Sequence, residues 1–421
     1  MKERLDKMEI YRCFLLPCTS LCDYYKEVMR VIQYIGVLLF FFLVSCEKND
    51  VEPQKTRTLM VYLAGDNNLS GHMQKNISSM MSAWKESYNA NIVIYFDAPN
   101  AAPELYTFRF KGKEVEKQVL KTYEEMDSAD PEVLKKILNE MQDLYPSDSY
   151  GLILGSHASG WIPSGASGRS NRMLHAEPVL TRSFGKDYTG SNEMDTRDMA
   201  KAIPFNKENL EFILFDACMM SSIEVLYDLR EKAKYVIASP AELPAPGFPY
   251  DRVMPYFWGK GADLEKDLVK VCDEFWNYYN TYNAASRFGT IALIKMDGME
   301  HLFDLTREIL KGEKEVVAGW GKNDVWCYPK VEYGKHYMFF DLGEYIKHVT
   351  GGEGRLYEEF RDFLDNQVVI HKKATNPFYY TEISDDTFSG IATYIPLGVW
   401  TTETKAYWNF SWARVYDAVT E

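Results

Sequence analysis

Short apolar runs of β-strand length recur between residues 58 and 239, and they constrain the fold more than any other feature. They are Thr58–Ala64, Asn91–Asp97, Gly151–Leu154, Leu210–Phe215 and Tyr235–Ser239. Residues at helical spacing lie between them, for example Ile77, Met80, Met81 and Trp84 after the first run. This alternation predicts an α/β fold with an open, mostly parallel sheet flanked by helices. Such sheets bind ligands at the carboxyl ends of their strands, where we expect the functional site.

Further segments extend this α/β core. Alternating residues at 106–110 and 114–120 predict an antiparallel hairpin. Pro131 predicts the first turn of a helix. An N–H at that position has no acceptor within the helix, so the lack of an N–H in proline costs nothing there. The later part of the chain predicts more helices and a strand at Thr290–Ile294. We therefore expect a core over residues 58–260 and a C-terminal α/β supporting subdomain over residues 261–421.

The size and charge of the chain narrow the class of protein. With 421 residues, 46% of them hydrophobic, the chain can bury a large core. Its 47 basic and 61 acidic residues give a net charge of −14, which argues against sequence-independent binding to nucleic acid or to anionic lipid. We expect a monomer that does not bind nucleic acid.

The N-terminal region resembles a bacterial lipoprotein signal. Arg30 precedes an apolar run over residues 31–44, which ends in Leu43-Val44-Ser45-Cys46. In such signals the cysteine is lipidated and becomes the first residue of the mature protein. A transmembrane helix is the alternative, but a run of about 14 residues is shorter than the ~20 needed to span a bilayer. We predict a signal peptide over residues 1–45, of which 1–28 indicate a start codon assigned too early.

The same signal predicts where the protein resides. Cys46 is the expected lipid anchor, and residues 46–57 form a polar tether to the folded body. The chain is then an exported lipoprotein, held at the outer membrane or the cell surface by its lipid alone. Beyond the anchor the cysteines are Cys218, Cys272 and Cys327, an odd number without the spacing of a disulfide framework or a zinc site.

Cys218 and His157 are the candidate catalytic residues. Cys218 follows an apolar strand and precedes an amphipathic helix, whose positive dipole end is expected to stabilise a thiolate. His157 follows the strand at 151–154, so both side chains are expected at one sheet edge. An imidazole there can accept the thiol proton and return it to a leaving amine. The backbone amides of Cys218 and Ala158 are the candidate oxyanion donors.

The alternative interpretation is that both residues are structural, because a lone cysteine beside an apolar strand is usually a small core residue. Spacing alone leaves the two interpretations about equal. Cys272 and Cys327 are assigned to the core.

The sequence resembles the clostripain family of cysteine peptidases, whose fold is similar to that of caspases, gingipains and legumain. The matching stretches are Leu59–Leu69, Gly155–Trp161, Phe184–Thr196, Phe215–Met220 with Glu224, Val236–Ser239, Phe340–Gly343 and Ser389–Pro396. The resemblance implies a caspase-like sheet and a cysteine endopeptidase with Cys218 as nucleophile and His157 as acid and base.

The resemblance also implies a substrate pocket. Asp216 matches the acidic residue that lines the S1 pocket of relatives selecting Arg or Lys at P1; the alternative is that Asp216 only caps the following helix. The sequence departs from the family pattern at two positions, and both argue against strict specificity for Arg or Lys. Ala158 replaces the usual glycine, and Pro246 stands where relatives carry a second acid. Glu242 is the candidate to compensate. We expect a moderate preference for Arg or Lys.

Self-cleavage and a role for calcium are two further expectations that come by family analogy. The loop between the histidine and cysteine strands is a candidate for self-cleavage, at Arg169, Arg172, Arg182 or Lys186. No cofactor is predicted, and calcium enters by analogy alone. The rival interpretation is a catalytically weak surface lipoprotein that binds peptide or protein on a peptidase fold; transpeptidation through the same acyl-enzyme is a third possibility.

Overall fold

A computed structural model describes most of the chain beyond residue 56. The described residues are 26, 29, 57–164, 183–190, 193–283, 287–311, 325–328, 332–333, 336–378, 382–384, 386–396 and 402–417. The chain divides into two compact units, Met1–Gln54 and Lys55–Glu421. Within the described part, no helix combines the length and apolarity that crossing a bilayer requires.

The second unit is built on a nine-stranded sheet in the order β12-β8-β7-β6-β5-β1-β2-β3-β4. Its strands are β1 Thr58–Ala64, β2 Asn91–Ala98, β3 Ala101–Lys111, β4 Glu114–Thr122, β5 Tyr150–Gly155, β6 Leu210–Asp216, β7 Tyr235–Ala238, β8 Thr290–Lys295 and β12 Val369–Ala374. The central strands β7, β6, β5, β1 and β2 are parallel, whereas β3, β4, β8 and β12 pair antiparallel at the two edges. Shorter strands lie outside this sheet: β9 Glu332–Tyr333, β10 His336–Tyr337, β11 Phe340–Asp341 and β13 Ala392–Thr393.

Helices cover both faces of the sheet. They are α1 Ser70–Ala83, α2 Pro131–Leu144, α3 Thr196–Ala202, α4 Ile223–Leu229, α5 Tyr250–Val253, α6 Ala262–Asn280, α7 Met299–Lys311, α8 Leu342–Thr350, α9 Arg355–Phe363 and α10 Thr402–Tyr407. Alternate residues of β1 enter opposite cores: Tyr62 packs in the core that contains α2, α4 and α7, and Val61 packs in the core that contains α1 and α6. Burial on both faces explains why these strands read as unbroken apolar runs.

The strand order places the candidate site. From β1, the chain continues to β2 on one side and later to β5 on the other, so the loops after β1 and β5 diverge at this point. A crevice at such a reversal of strand order is where open α/β sheets bind ligands. The loops that follow β1, β5 and β6 therefore share one edge of the sheet.

The predicted fold class is confirmed, including the hairpin of β3 and β4 and the helix that begins at Pro131. Asp130 caps that helix by accepting a hydrogen bond from the Glu132 amide. The region after residue 260 contributes β8 and β12 to the same sheet as the earlier strands. Sequence reasoning missed β12, because its residues do not alternate regularly between apolar and polar.

Candidate active site

His157 and Cys218 leave adjacent parallel strands at the same level. In the β5–β6 pair, Gly155 is the register partner of Asp216. His157 and Cys218 each lie two residues beyond this pair, and neighbouring strands run about 4.8 Å apart. Parallel strands end at one edge, so His157 and Cys218 both follow strands that end at the same edge of the sheet.

The two loops also touch through Gly160. Its φ is +60°, and a Cβ built there would lie 2.6 Å from the Met219 carbonyl oxygen. Met219 itself, directly after Cys218, has a φ of +60°, a backbone conformation that costs a residue with a side chain about 1–2 kcal/mol. The Met219 amide donates to the Ala241 carbonyl at 2.9 Å, which fixes this turn against the loop after β7. Glycine at 160 thus allows the histidine loop to pack directly on the cysteine turn.

The Cys218 thiol is held against Leu243. The Leu243 amide donates to Sγ at 3.3 Å, and Sγ donates to the Leu243 carbonyl at 3.8 Å. Burial, and then the Glu242 carboxylate, raise the pKa of the Cys218 thiol to about 12. The residue as a whole is partly buried.

The expectation that a helix dipole stabilises a Cys218 thiolate is wrong. Helix α4 begins only at Ile223, with Ser222 as its N-cap. The field of a helix terminus fades beyond the first turn, and Cys218 lies outside that turn. The raised pKa means that the thiol is protonated in this state.

His157 is the matching neutral partner. It is 7% exposed, and its Nε2 lies 2.6 Å from Oδ1 of Asn68, which follows β1. Burial, and secondarily the charge of Lys186, lower the pKa of His157 to about 4. At neutral pH the imidazole therefore carries one proton and can act as a base.

Asp216 ends β6, two residues before Cys218. Its Oδ2 accepts a hydrogen bond from the Tyr250 hydroxyl at 2.9 Å, with Asn76 Nδ2 at 3.5 Å. Burial raises the pKa of Asp216 to about 6, against the hydrogen bond from Tyr250. A Cβ at Gly247, where φ is +71°, would lie 2.5 Å from both carboxylate oxygens. The alternative that Asp216 caps the next helix is not what the structure shows, because Ser222 occupies that position.

Comparison with known proteins decides the family. The model of the clostripain family matches residues 61–368. The chain belongs to the clostripain family. The predicted resemblance is thereby confirmed.

Clostripain of Hathewaya histolytica is 29% identical over 254 residues, which are 54% of this chain and 47% of that protein. The chain thus spans about half the length of this curated relative. An inactive zymogen of a C11 protease from Parabacteroides distasonis is similar in structure, with a TM-score of 0.68, 28% identity, and coverage of 88% of this chain and 99% of that one. A secreted C11 cysteine protease from Bacteroides thetaiotaomicron, in complex with an irreversible peptide inhibitor, is also similar in structure. Its TM-score is 0.69 at 26% identity, and the match covers 86% of this chain and 99% of that one.

The departures from the clostripain family pattern have local explanations. Ala158 does not adopt a positive φ, so its methyl group is compatible with the backbone there. Glu242 is 6% exposed and its charge acts on the Cys218 thiol, which places it at the site. Pro246 directly precedes Gly247, whose missing side chain lets the Asp216 carboxylate pack closely against the backbone there.

Several predicted positions fall outside the described residues. These are Cys46 and the self-cleavage candidates Arg169, Arg172 and Arg182. Lys186 is described: its carbonyl accepts a hydrogen bond from Asn67 Nδ2 at 2.9 Å. Among the described residues, no group of three His, Cys, Asp or Glu side chains is arranged to hold a metal ion.

The carboxylates of Asp66 and Asp187, near this edge of the sheet, accept hydrogen bonds from backbone amides. Asp66 Oδ2 accepts from the Thr189 amide at 3.0 Å, and Asp187 accepts from the amides of Ser128, Thr189 and Gly190. They tie residues 187–190 to the core beside His157.

Sequence reasoning missed Asn68 and Tyr250 as members of the site. Asn68 carried a usable signal, since it follows a buried strand as His157 does. Tyr250 carried none, because the fold of the loop after β7 brings it to Asp216. Of the other cysteines, Cys272 is fully buried in the core, as expected.

Proposed function

We propose that this clostripain-family chain is a cysteine endopeptidase with Cys218 as nucleophile and His157 as general base and acid. The observation that carries the proposal is the register of β5 and β6, which sends both residues from one level of the sheet into a shared edge. The irreversible peptide inhibitor bound by the Bacteroides thetaiotaomicron relative supports polypeptide substrates.

The protonation states support a concerted first step. Thiol and imidazole are both neutral at pH 7, given pKa values of about 12 for Cys218 and about 4 for His157. As the sulfur forms its bond to the acyl carbon, the thiol proton passes to the imidazole. The backbone amides of Cys218 and Ala158 stabilise the oxyanion, and the imidazolium then protonates the leaving amine. Water, deprotonated by His157, hydrolyses the thioester.

Asp216 is proposed as the base of the S1 pocket. Its carboxylate, oriented by Tyr250 and packed against Gly247, pairs with the cation of an Arg or Lys side chain. Glu242 adds a second negative charge near the thiol, although Pro246 replaces the second acid of relatives. The preference for Arg or Lys at P1 is therefore moderate.

A panel of fluorogenic peptides with Arg, Lys, Asp, Asn or Ala at P1 tests the function. We expect turnover of the peptides with Arg or Lys at P1. It should be lost in Cys218→Ala and kept in Cys327→Ala, a control variant that removes a different thiol. Absence of turnover on every peptide would favour the rival, a binding protein on a peptidase fold; the high thiol pKa is the observation that keeps this rival in view.

Self-cleavage is proposed in the loop between the histidine and cysteine strands. Lys186 is held in the folded core, since Asn67 donates to its carbonyl and the neighbouring Gly185 amide donates to the His157 carbonyl at 3.0 Å. Cleavage at Arg169, Arg172 or Arg182 would leave these contacts intact. Intact mass after incubation checks this: fragments in wild type but not in Cys218→Ala are expected, and identical single species contradict it.

Export with a lipid anchor at Cys46 is proposed from the signal over residues 1–45. We expect wild type, but not Cys46→Ala, to incorporate a radiolabelled fatty acid after expression in a bacterium with lipoprotein processing. Equal incorporation, or none in wild type, would contradict the anchor.

A further inference from the structure

Asn68 is placed at the site by a rigid turn. It follows β1, which lies next to β5, the strand that carries His157. The preceding Asn67 is 1% exposed, and its Nδ2 donates to the Ala64 and Lys186 carbonyls, both at 2.9 Å. Its Oδ1 accepts from the Leu69 amide at 2.9 Å. The backbone on both sides of Asn68 is therefore fixed, although the Asn68 side chain itself is exposed.

The contact between Asn68 and His157 identifies the imidazole tautomer. The atoms facing each other are Asn68 Oδ1 and His157 Nε2, 2.6 Å apart. An amide oxygen carries no hydrogen and can only accept, so the ring must donate from Nε2. Burial keeps the pKa of His157 low, so the ring has only this one proton and Nδ1 bears a lone pair.

We propose that Asn68 is a positioning residue: by holding Nε2–H, it orients the His157 ring and leaves Nδ1 to exchange a proton with Cys218. The inference rests on the proposed function of the dyad. During acylation the thiol proton moves to Nδ1 as the S–C bond forms, and it then passes to the leaving amine as the C–N bond breaks. The hydrogen bond to Asn68 strengthens while the ring is cationic, which favours the transition state over the ground state.

A neutral acceptor suits this buried ring. A carboxylate in the same place would raise the pKa of His157 and favour the imidazolium before substrate binds. An amide orients the ring without that charge. Asn68 therefore explains how the ring can be positioned and still remain a neutral base.

Kinetics of Asn68→Ala, Asn68→Asp and the control Ser70→Ala test the role. Ser70 begins α1 two residues further on and has no described contact with His157. For Asn68→Ala we expect kcat to fall about 10- to 100-fold with KM nearly unchanged, since a hydrogen bond to a developing cation is lost. Asn68→Asp should recover part of kcat and shift the acidic limb of the kcat profile to higher pH. Thermal melting should differ little, because Asn68 is exposed.

A purely structural role predicts a different pattern. If Asn68→Ala matches Ser70→Ala in kcat, or if Asn68→Asp leaves the acidic limb in place, the positioning role is overturned.

A spectroscopic readout separates this inference from the function on which it rests. In ¹⁵N-histidine-labelled protein, with the His157 signals assigned by their loss in His157→Gln, we expect the Nε2–H tautomer in wild type and a tautomer mixture in Asn68→Ala. An Nδ1–H tautomer in wild type overturns the inference even in an active enzyme. An Nε2–H tautomer in a protein without turnover, or with turnover that survives Cys218→Ala, supports the positioning of the ring while the proposed function fails.

Discussion

Replacing Gly247 by alanine tests how the pocket over Asp216 is built. The φ of +71° at Gly247 costs an alanine about 1–2 kcal/mol. The new Cβ would also lie 2.5 Å from both carboxylate oxygens, about 1 Å inside normal contact. Relief requires Asp216 to move away from the Tyr250 hydroxyl or the loop to lift. Losing a hydrogen bond to a charged group costs a further ~1.5–3 kcal/mol.

Gly112→Ala is the matched control. Gly112 has a φ of +66° in the turn between β3 and β4, and nothing lies within 4 Å of a Cβ built there. Both variants therefore incur the backbone cost, and only Gly247→Ala incurs the steric one. Urea unfolding should show Gly247→Ala to be less stable than Gly112→Ala by ~1–3 kcal/mol.

The same pair of variants tests specificity. For Gly247→Ala we expect kcat/KM on Arg and Lys substrates to fall about 10- to 100-fold, since each 1.4 kcal/mol of lost binding is about tenfold. The kcat/KM on a substrate with Ala at P1 should fall much less. Gly112→Ala should leave kcat/KM unchanged on both kinds of substrate. If Gly247→Ala keeps its preference for basic substrates and is as stable as Gly112→Ala, the reasoning about this pocket is refuted.

Three further predictions follow from the same geometry. Gly160→Ala should lower the free energy of unfolding by about 2–4 kcal/mol in urea titrations and slow acylation, because its Cβ meets the Met219 carbonyl oxygen; wild-type rates would contradict the loop contact. Since the pKa of Asp216 is about 6, kcat/KM on Arg and Lys substrates should rise as pH increases through 6, and this limb should be absent for Ala substrates and in Asp216→Asn. Burial raises the pKa of Asp97 from 3.8 to about 8, so its contribution to stability is present below pH 4 and lost as pH rises through 8; between pH 5 and 9 the melting temperature of wild type should fall more than that of Asp97→Asn, and parallel curves would contradict this.

The strands of the core were predictable because burial on both faces demands continuous apolar residues. The same runs indicated where His157 and Cys218 leave the sheet. The partners of these residues were not predictable, since they depend on strand order and loop path. Asn68 reaches His157 only because β1 lies beside β5. Tyr250 reaches Asp216 only because the loop after β7 folds back towards the end of β6.

The position of the helix start shows a different limit. Apolar residues at helical spacing after Cys218 suggested a helix that begins at the nucleophile. The residues from Met219 to Ser222 are instead not helical, and the Met219 and Ser221 amides donate to the Ala241 and Ser239 carbonyls. These long-range hydrogen bonds have no local sequence signal, and they move the helix dipole away from the sulfur.

The most direct test of the dyad is to trap the nucleophile. A peptidyl acyloxymethyl ketone ending in lysine should alkylate the protein as its carboxylate leaves, so the mass should rise by one peptidyl ketone group, and peptide mapping should place the adduct on Cys218. We expect the labelling rate to fall at least about 100-fold in His157→Ala, because the thiol then lacks its base. An adduct on Cys272 or Cys327, or a labelling rate that is unchanged in His157→Ala, would contradict the assignment of Cys218 and His157 as nucleophile and base.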